Sequence, residues 1–367
     1  MQSNFTKQIL EFSAAVRGNF FMPGHKGKIS PLDVTEFPET GDLTNSSGVF
    51  AEAEQELARI FRSERSHILV NGATIGNFVM LMSTCKRGDK LIVDKLCHHS
   101  IPNACTLFGI EPIYIERTIH PISAIHGGID PLDIQKILKK NKKVKGAIIT
   151  SPTYHGICSD LRAIADILHS AGKFLLVDEA HGAHFYFSEK LPLTAMEQGA
   201  DMCVVSAHKT LPAPGQTAIL NVRSGAPHKN VKDCINILQT SSPSFILISQ
   251  MMDGISQMPE LSEHFERLIT ACEDFALKVN QNTRATCVTW NHVNKCHVAQ
   301  KDQTRLIINL SRKGYNGKGA FDLLWERHKI RAETYDDNNV ICIVTVCNTL
   351  EDLDNLYNAI VEICEVQ

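Results

Sequence analysis

Two short strings in the middle of the chain carry side chains that could do chemistry together. Asp178 stands at the end of the apolar run KFLLVD, and Lys209 lies three residues beyond the apolar run MCVVS. An acid at the end of a buried strand is poorly solvated, so we expect a cationic partner, for which a protonated ring nitrogen would serve. A lysine just past such a strand, beside a histidine and a hydroxyl, is a candidate Schiff-base amine.

Each of these strings also has an interpretation without this chemistry. Most lysines lie on the surface with their charge in water, and Lys209 could be one of them. The D-E-x-H string of residues 178–181 also occurs in helicases, where it coordinates magnesium. A helicase, however, needs a glycine-rich phosphate loop that ends in Gly-Lys-Ser/Thr, and the sequence contains none.

Two earlier strand ends add groups of a complementary kind. The run SHILV leads into the small-residue turn NGATIGN (71–77), whose backbone amides and Thr74 hydroxyl could hold a phosphate at a helix start. The run KLIVD leads into CHHS (97–100), where a histidine could lie flat on an aromatic ligand. The structural alternatives are an ordinary turn and a capping or core histidine, and adjacent histidines rarely bind one metal ion. Taken together in this order, the four strand ends describe a site for pyridoxal phosphate (PLP).

The elements that must position these groups follow from the pattern of residues 50–222. Seven short runs rich in Ile, Val and Leu lack polar alternation, which is typical of strands buried on both faces of a parallel sheet. They are SHILV (66–70), KLIVD (90–94), EPIYIE (111–116), GAIIT (146–150), KFLLVD (173–178), MCVVS (202–206) and TAILNV (217–222). Helical patterns separate them, among them 51–61, 131–140 and 160–172. The alternation predicts an α/β fold with an open, mostly parallel seven-stranded sheet and helices on both faces.

The character of the sequence changes after about residue 257. A long helical pattern, two strand candidates (305–310 and 339–347) and a final helical pattern predict a smaller α/β lobe. We therefore predict an N-terminal segment over 1–45, a large cofactor-binding domain over 46–257 and a small domain over 258–367. In open α/β sheets ligands bind beyond the carboxyl ends of the strands, so this organisation gathers the four strand-end groups at one edge.

Composition excludes several other classes of protein. The 367 residues include 37 Lys and Arg against 40 Asp and Glu, a net charge of −3 that gives no bulk electrostatic case for nucleic acid or an anionic membrane. No apolar run approaches the roughly 18–20 residues of a membrane span. The 12 cysteines form no C-x-x-C pair and several lie in apolar runs, so we expect buried free thiols, no metal site and a reducing, cytoplasmic setting.

The strings in this order resemble the ornithine/lysine/arginine decarboxylase family of PLP enzymes, which have the aspartate aminotransferase fold (fold type I). The matching strings cover residues 20–255 and are PGHKG (23–27), NGATIGN (71–77), CHHS (97–100), SPTYHGI (151–157), VDEAHGAHF (177–185), SAHKTLPA (206–213) and TSSPS (240–244). Family members commonly carry an accessory carboxyl-terminal domain, and the sequence is expected to be a short member without it.

The resemblance implies a role for individual residues. Lys209 would be the Schiff-base lysine, Asp178 the partner of the pyridine nitrogen, and His98 the residue that stacks on the ring. The remaining cofactor contacts implied by the resemblance are Ala73, Thr74, Ala180, His181, Ser206, His208 and Thr240. Of these, His181 would lie near the phenolic oxygen of the cofactor.

The resemblance also implies a partner and a substrate class. Thr240 matches a position that reaches the phosphate from the other subunit, which implies a homodimer with shared active sites. The substrate would be an amino acid with a cationic side chain. Candidate substrate contacts are His25 at the mouth of the site and two acids, Asp42 and Glu333, for the distal cation.

The resemblance implies the cofactor more directly than it implies the type of reaction. The resemblance implies α-decarboxylation of arginine, ornithine or lysine, in which the carboxylate must not be neutralised by a tight arginine clamp. An aminotransferase usually has such a clamp, and the predicted small lobe contains Arg305, Arg312 and Arg331. Elimination or cyclisation on an arginine-like substrate would use the same cofactor, and a catalytically inactive binding protein is the third alternative.

Overall fold

The computed structural model of the chain describes residues 2–120, 124–226 and 231–365. The outer ends of the predicted first and last domains, residues 1, 366 and 367, therefore lie outside the described residues. The strands in the described residues are β1 (Arg65–Leu69), β2 (Lys90–Asp94), β3 (Glu111–Ile115), β4 (Val144–Thr150), β5 (Ile157–Cys158), β6 (Phe174–Asp178), β7 (Met202–Val205), β8 (Ala218–Val222), β9 (Thr286–Cys287), β10 (Gln300–Lys301), β11 (Arg305–Asn309), β12 (Thr334–Tyr335) and β13 (Asn339–Ile343).

The α-helices connect these strands and cover the sheets. They are α1 (Asn4–Ala15), α2 (Val49–Ile60), α3 (Gly72–Thr84), α4 (Ser100–Phe108), α5 (Pro131–Lys140), α6 (Leu161–Ser170), α7 (Ala207–Thr210), α8 (Val231–Leu238), α9 (Phe245–Gln257), α10 (Ser262–Asn282), α11 (Gly317–His328) and α12 (Leu350–Glu365). Short 3₁₀ turns lie at Ala183–Phe187, Trp290–His292 and Ser311–Lys313.

A seven-stranded sheet forms the centre of the molecule, in the order β1-β8-β7-β6-β4-β2-β3. β8 runs antiparallel to both of its neighbours, β1 and β7, and all other pairs of the sheet are parallel, so the predicted mostly parallel α/β sheet is confirmed. Alternate residues of β6 show why its run is apolar throughout. Leu176 packs on the face that α3, α4 and α8 cover, whereas Leu175 and Val177 pack on the face that α5 and α6 cover.

A second, antiparallel sheet lies in the carboxyl-terminal part of the chain, in the order β12-β13-β11-β9. Helices α10, α11 and α12 bury an apolar cluster against it. This part contacts the central one in several places. For example, β10 pairs with β5, and the apolar residues Val288, Val293 and Val298 pack with Ile125 and Ile157. The division of the chain at residue 257 stays a prediction.

A buried ion pair ties β2 to the loop after β3. The Nη2 atom of Arg117 lies 2.6 Å from a carboxylate oxygen of Asp94, and both side chains are almost fully enclosed. The same guanidinium donates to the carbonyl oxygens of Gly127 and Thr150, 2.9 and 2.6 Å away. The pair therefore fixes the position where β2 ends, just before the CHHS string.

Replacing Arg117 by methionine is expected to lower the free energy of unfolding by about 3–5 kcal/mol, because the Asp94 carboxylate would stay buried without a cation. Urea denaturation followed by circular dichroism measures this change. The control is Lys95→Met, which removes an ion pair with Glu116 between exposed side chains and is expected to change stability little. Equal stability of the Arg117→Met variant and the unsubstituted protein would contradict the expectation.

The cysteines are all free thiols. Nine are buried and Cys97 and Cys364 are partly buried, but Cys347 is exposed, so the prediction of buried thiols is wrong at that position. Its place in the loop between β13 and α12 explains the difference, since the strand ends four residues earlier than its apolar run suggested. Within the described ranges no group of His, Cys, Asp and Glu side chains is arranged to hold a metal ion, and none of the helices has the length and apolar character of a membrane span. The cytoplasmic setting stays a prediction.

Candidate active site

Lys209 lies on the short helix α7, which begins directly after β7. Its Nζ atom is 3.1 Å from Nε2 of His181, a residue of the turn that follows β6. Burial lowers the pKa of Lys209, and the charge of the Asp178 carboxylate opposes part of that shift. The two adjacent strand ends thus place an amine of reduced basicity and a carboxylate close enough to act on each other.

Asp178 is the last residue of β6 and is 2% exposed. Its carboxylate accepts hydrogen bonds from the side-chain amide of Asn77 at 3.0 Å and from the backbone N–H of Ala180 at 3.2 Å. Both donors are neutral, and among the described residues no cationic side chain lies within ion-pair distance of it. A buried carboxylate in this state retains the capacity to bind a cation.

A hydrogen-bond chain runs from Asp178 to His98. The Asn77 amide donates to Asp178 and also to the Ser100 hydroxyl, 3.0 Å away. The Ser100 hydroxyl and its backbone N–H both lie against Nδ1 of His98, at 2.8 and 3.2 Å. Because a backbone N–H can only donate, Nδ1 of His98 accepts and the ring carries its proton on Nε2. Partial burial of the ring and the neighbouring His99 lower the pKa of His98. The residue as a whole remains exposed to solvent.

The predicted phosphate side is formed by the start of α3 and the end of β7. Ala73 and Thr74 lie in the first turn of α3, with Thr74 exposed. Gly76 brings this helix close to β7, since a Cβ there would lie 2.4 Å from a methyl carbon of Val204. Two residues beyond Val204, the Ser206 hydroxyl is buried and has no hydrogen-bond partner.

His208 and Thr240 lie at the rim of this region. Nδ1 of His208 donates to the Thr217 carbonyl oxygen, 2.9 Å away, which fixes the orientation of the ring. Thr240 is exposed, and its backbone N–H donates to the side chain of Asn71, just before α3, at 3.5 Å. His208 therefore lies just after the end of β7, and Thr240 contacts the residue before α3. These are the two elements that form the predicted phosphate site.

The carboxyl-terminal part of the chain closes over His181. Nη2 of Arg305, the first residue of β11, is 3.2 Å from Nδ1 of His181. The Tyr154 ring packs edge-on against the His181 ring, with centroids 4.6 Å apart, and its hydroxyl donates to Glu333. Glu333 is exposed, and its charge acts on the pKa of Lys209. Glu333 is thus the predicted substrate acid that lies nearest to this cluster.

The other two predicted substrate residues lie in contacts of their own segments. His25 pairs with Asp33 at 2.8 Å, and Asp42 accepts from the backbone N–H of Thr44 at 2.7 Å within its loop. The structure brings neither into contact with Lys209. Their roles, like those of the other site residues, stay predictions.

Three contacts that hold site residues in place could not be predicted from the sequence. Asn77 lies within the NGATIGN string and Tyr154 within SPTYHGI, but the partners they contact are 101 and 179 residues away in the chain. Arg305 is 124 residues from His181. Pairings at such separations leave no local pattern, although the presence of Asn77 and Tyr154 in the matching strings was an available signal.

Residues 11–310 match the family model described as the Orn/Lys/Arg decarboxylase major domain. An arginine decarboxylase of Bacillus cereus is 30% identical, and the match covers 93% of this chain and 78% of that protein. An arginine decarboxylase of Halalkalibacterium halodurans is 31% identical over 95% of this chain and 74% of that protein. The solved lysine decarboxylase A of Pseudomonas aeruginosa superposes with a TM-score of 0.83 at 20% identity, covering 98% of this chain but 59% of the solved one.

Proposed function

The chain belongs to the Orn/Lys/Arg decarboxylase family, and from this premise we propose that it catalyses the PLP-dependent α-decarboxylation of a basic amino acid. Its fold is the aspartate aminotransferase-like fold type I, and pyridoxal 5′-phosphate is its cofactor. The observation that carries the proposal is the juxtaposition of Lys209 and the unpaired Asp178 carboxylate at adjacent strand ends. The chain spans about 60% of the length of the solved lysine decarboxylases, so the whole reaction is a proposal.

Two buried groups of this structure fit the cofactor, a carboxylate without a cationic partner and a hydroxyl without a hydrogen-bond partner. The Asp178 carboxylate, buried with neutral partners, suits a protonated pyridine nitrogen, and the orphaned Ser206 hydroxyl suits a phosphate oxygen. The amides at the start of α3 would add donors to the phosphate. When bound, the cofactor supplies an electron-withdrawing ring that makes bonds at the α-carbon of an amino acid easier to break.

The side chains around the predicted cofactor site would have separate roles in the reaction. The Lys209 amine would hold the cofactor covalently, and His98 would cover one face of the ring while its proton stays on Nε2. After carbon dioxide leaves, a proton must be delivered to the α-carbon. Lys209 and His181, whose Nζ and Nε2 atoms lie 3.1 Å apart, would supply this proton.

The arginines of the carboxyl-terminal part support decarboxylation over aminotransfer. The guanidinium of Arg305 is fully enclosed and bound to His181. Arg312 is exposed, and the guanidinium of Arg331 stacks on the Trp325 ring at 4.3 Å. None of these three is placed as a clamp on a substrate carboxylate, a clamp that would stabilise the ground state.

The proposal is tested by incubating the loaded protein with arginine, ornithine and lysine, with glutamate as the acidic control. Arginine comes first, because two relatives that align over more than nine-tenths of the chain are named arginine decarboxylases. Chromatography should detect agmatine, putrescine or cadaverine from a basic amino acid and no amine from glutamate. The absence of amine from all three basic substrates would contradict the proposal.

Glu333 is proposed to bind the distal cation of the substrate, and Glu333→Gln is expected to raise KM for that substrate by roughly 10–100-fold. A charge-assisted hydrogen bond contributes about 1.5–3 kcal/mol, which corresponds to that factor. Steady-state kinetics measure it, with kcat changing far less than KM. The matched control is Asp337→Asn, an exposed acid four residues away. An unchanged KM in Glu333→Gln would remove this residue from the substrate site.

The dimer belongs to the same proposal. Thr240 is exposed and lies beside the Asn71 side chain of its own chain, at the start of the predicted phosphate turn. In a dimer its exposed side chain could contact the phosphate site of the other copy. The N-terminal segment leaves the large apolar side chains of Phe20, Met22 and Ile29 mostly exposed. Apolar side chains exposed in one short segment favour contact with another protein surface. We propose that this surface belongs to a second copy of the chain.

A further inference from the structure

Arg305 is the largest fully buried side chain in the described residues. Its Nη2 atom contacts both Nδ1 and the carbonyl oxygen of His181, at 3.2 and 3.3 Å. Its Nε and Nη1 atoms are buried and have no hydrogen-bond partner. A buried guanidinium with unused donors is costly, so its contribution to stability does not account for its presence here.

The surroundings hold Arg305 in one position. The nearest oxygen of the Asp302 carboxylate lies 3.8 Å from Nε of Arg305 and 3.1 Å from Nε2 of His184. Burial alone would raise the pKa of Asp302, but His184 and Arg305 hold it well below its ordinary value, so its charge supports the guanidinium. Gly156 leaves space for the arginine stem, since a Cβ there would lie 2.7 Å from Cγ of Arg305.

The chemistry of a guanidinium determines the direction of its contact with His181. Arginine has donors and no acceptor, so Nδ1 of His181 must accept. A neutral imidazole that accepts at Nδ1 carries its proton on Nε2. Burial lowers the pKa of His181 well below its ordinary value, and the positive charge of Arg305 adds to that effect. His181 is therefore neutral, with its single N–H at Nε2.

That N–H faces Nζ of Lys209 at 3.1 Å. An ammonium group has no acceptor, so only the free amine of Lys209 can receive this hydrogen bond. Other charged groups act on these two residues. The charges of Asp178 and Glu333 favour the ammonium form of Lys209 and that of Arg305 opposes it, while His98 is also close enough to interact with Lys209. On His181 the charge of Asp302 raises the pKa, whereas His184 lowers it. The ring of Tyr154 covers the remaining edge of His181.

We propose that Arg305 is a positioning residue that holds His181 in the Nε2–H tautomer, so that His181 donates to Lys209 and keeps it a free amine. This inference rests on the proposed function only in taking Lys209 as the cofactor lysine. In the protein without cofactor, Arg305 thus orients His181. This role is different from binding a substrate carboxylate.

The test measures the basicity of Lys209 without any turnover. The cofactor-free full chain is labelled with trace acetic anhydride over a pH series, and mass spectrometry follows the peptide that contains Lys209. Lys209 should acetylate with a pKa below the ordinary value of a lysine side chain, and the peptide that contains the exposed Lys190 is the internal reference for labelling. In Arg305→Met that pKa should rise by at least one unit, so labelling near neutral pH slows about tenfold. Arg331→Met, an exposed arginine, is the matched control.

A double-mutant cycle distinguishes two ways in which Arg305 could lower the pKa of Lys209: through the tautomer of His181, or directly through its own charge. In a His181→Asn background, Arg305→Met should shift the labelling pKa much less than it does beside His181. The full shift in that background would overturn the inference, because the arginine would then act through its charge alone. Arg305→Lys, which keeps a donor, should restore most of the wild-type behaviour.

A measurement on the unsubstituted protein keeps the inference testable even if the Arg305 variants do not fold. Neutron diffraction should show deuterium on Nε2 of His181 and none on Nδ1, and deuterium on Nδ1 would overturn it. The outcome is separable from that of the proposed function. A low labelling pKa of Lys209 with no amine released from any basic amino acid would refute decarboxylation and support the role of Arg305.

Discussion

Replacing Lys209 by alanine is expected to abolish covalent retention of PLP and to lower the decarboxylation rate on the order of 10³-fold or more. The amine is the group proposed to hold the cofactor and, with His181, a source of the proton returned to the α-carbon. Absorbance of the desalted protein measures cofactor retention, and amine release measures the rate. Circular dichroism checks that the fold is intact.

The control for this variant is Lys190→Ala, a surface lysine that pairs with Glu266. It should keep both the cofactor absorbance and the rate. If Lys209→Ala retained a visible chromophore that survives desalting, another lysine would be the attachment point. The assignment that underlies the whole site would then be wrong.

Replacing Asp178 by asparagine is expected to lower the rate on the order of 10²- to 10³-fold, the usual cost of removing one preorganised electrostatic group. Asparagine fills the same space and keeps an oxygen that can accept from the Ala180 N–H, so the fold should persist. The lost group is the negative charge that would keep the ring nitrogen protonated. The loaded variant should retain PLP through Lys209 while its rate of amine release falls.

The matched control is Asp160→Asn, in the N-cap of α6, where either side chain can accept from the Ala163 N–H. Its rate should equal that of the unsubstituted protein. An Asp178→Asn variant with an unchanged rate would show that this carboxylate does not act on the cofactor.

The sequence predicts the central sheet well, because most of its strands are buried on both faces. The expectation of full burial is wrong for β3, an edge strand in which only Ile115 is buried. In β2 and α5 the predicted bounds agree with the structure at both ends, 90–94 and 131–140. Asp160 caps α6, and Gly172, with φ of +68°, lies just beyond its end, as their residue types indicate. The two-residue strands β5, β9, β10 and β12 were not predicted, because a strand so short has no periodicity to detect.

The site could be predicted to the extent that it depends on strand ends. Parallel strands finish at one edge of a sheet, which is why Asp178 and Lys209 lie near each other as expected. Their neighbours depend on packing between distant parts of the chain. Arg305 reaches His181 because β11 lies against the loop that contains Gly156, a relation that no stretch of the sequence encodes locally.

The central claim is that this chain removes the carboxylate of a basic amino acid and returns a proton to the same carbon. Its most direct test is turnover of arginine, ornithine and lysine by the loaded protein in deuterium oxide, with carbon dioxide and products measured by mass spectrometry. The predicted result is an amine that carries one deuterium at the former α-carbon, formed together with an equal amount of carbon dioxide. Deuterium entering Cα or Cβ of the amino acid with no carbon dioxide released would contradict the claim.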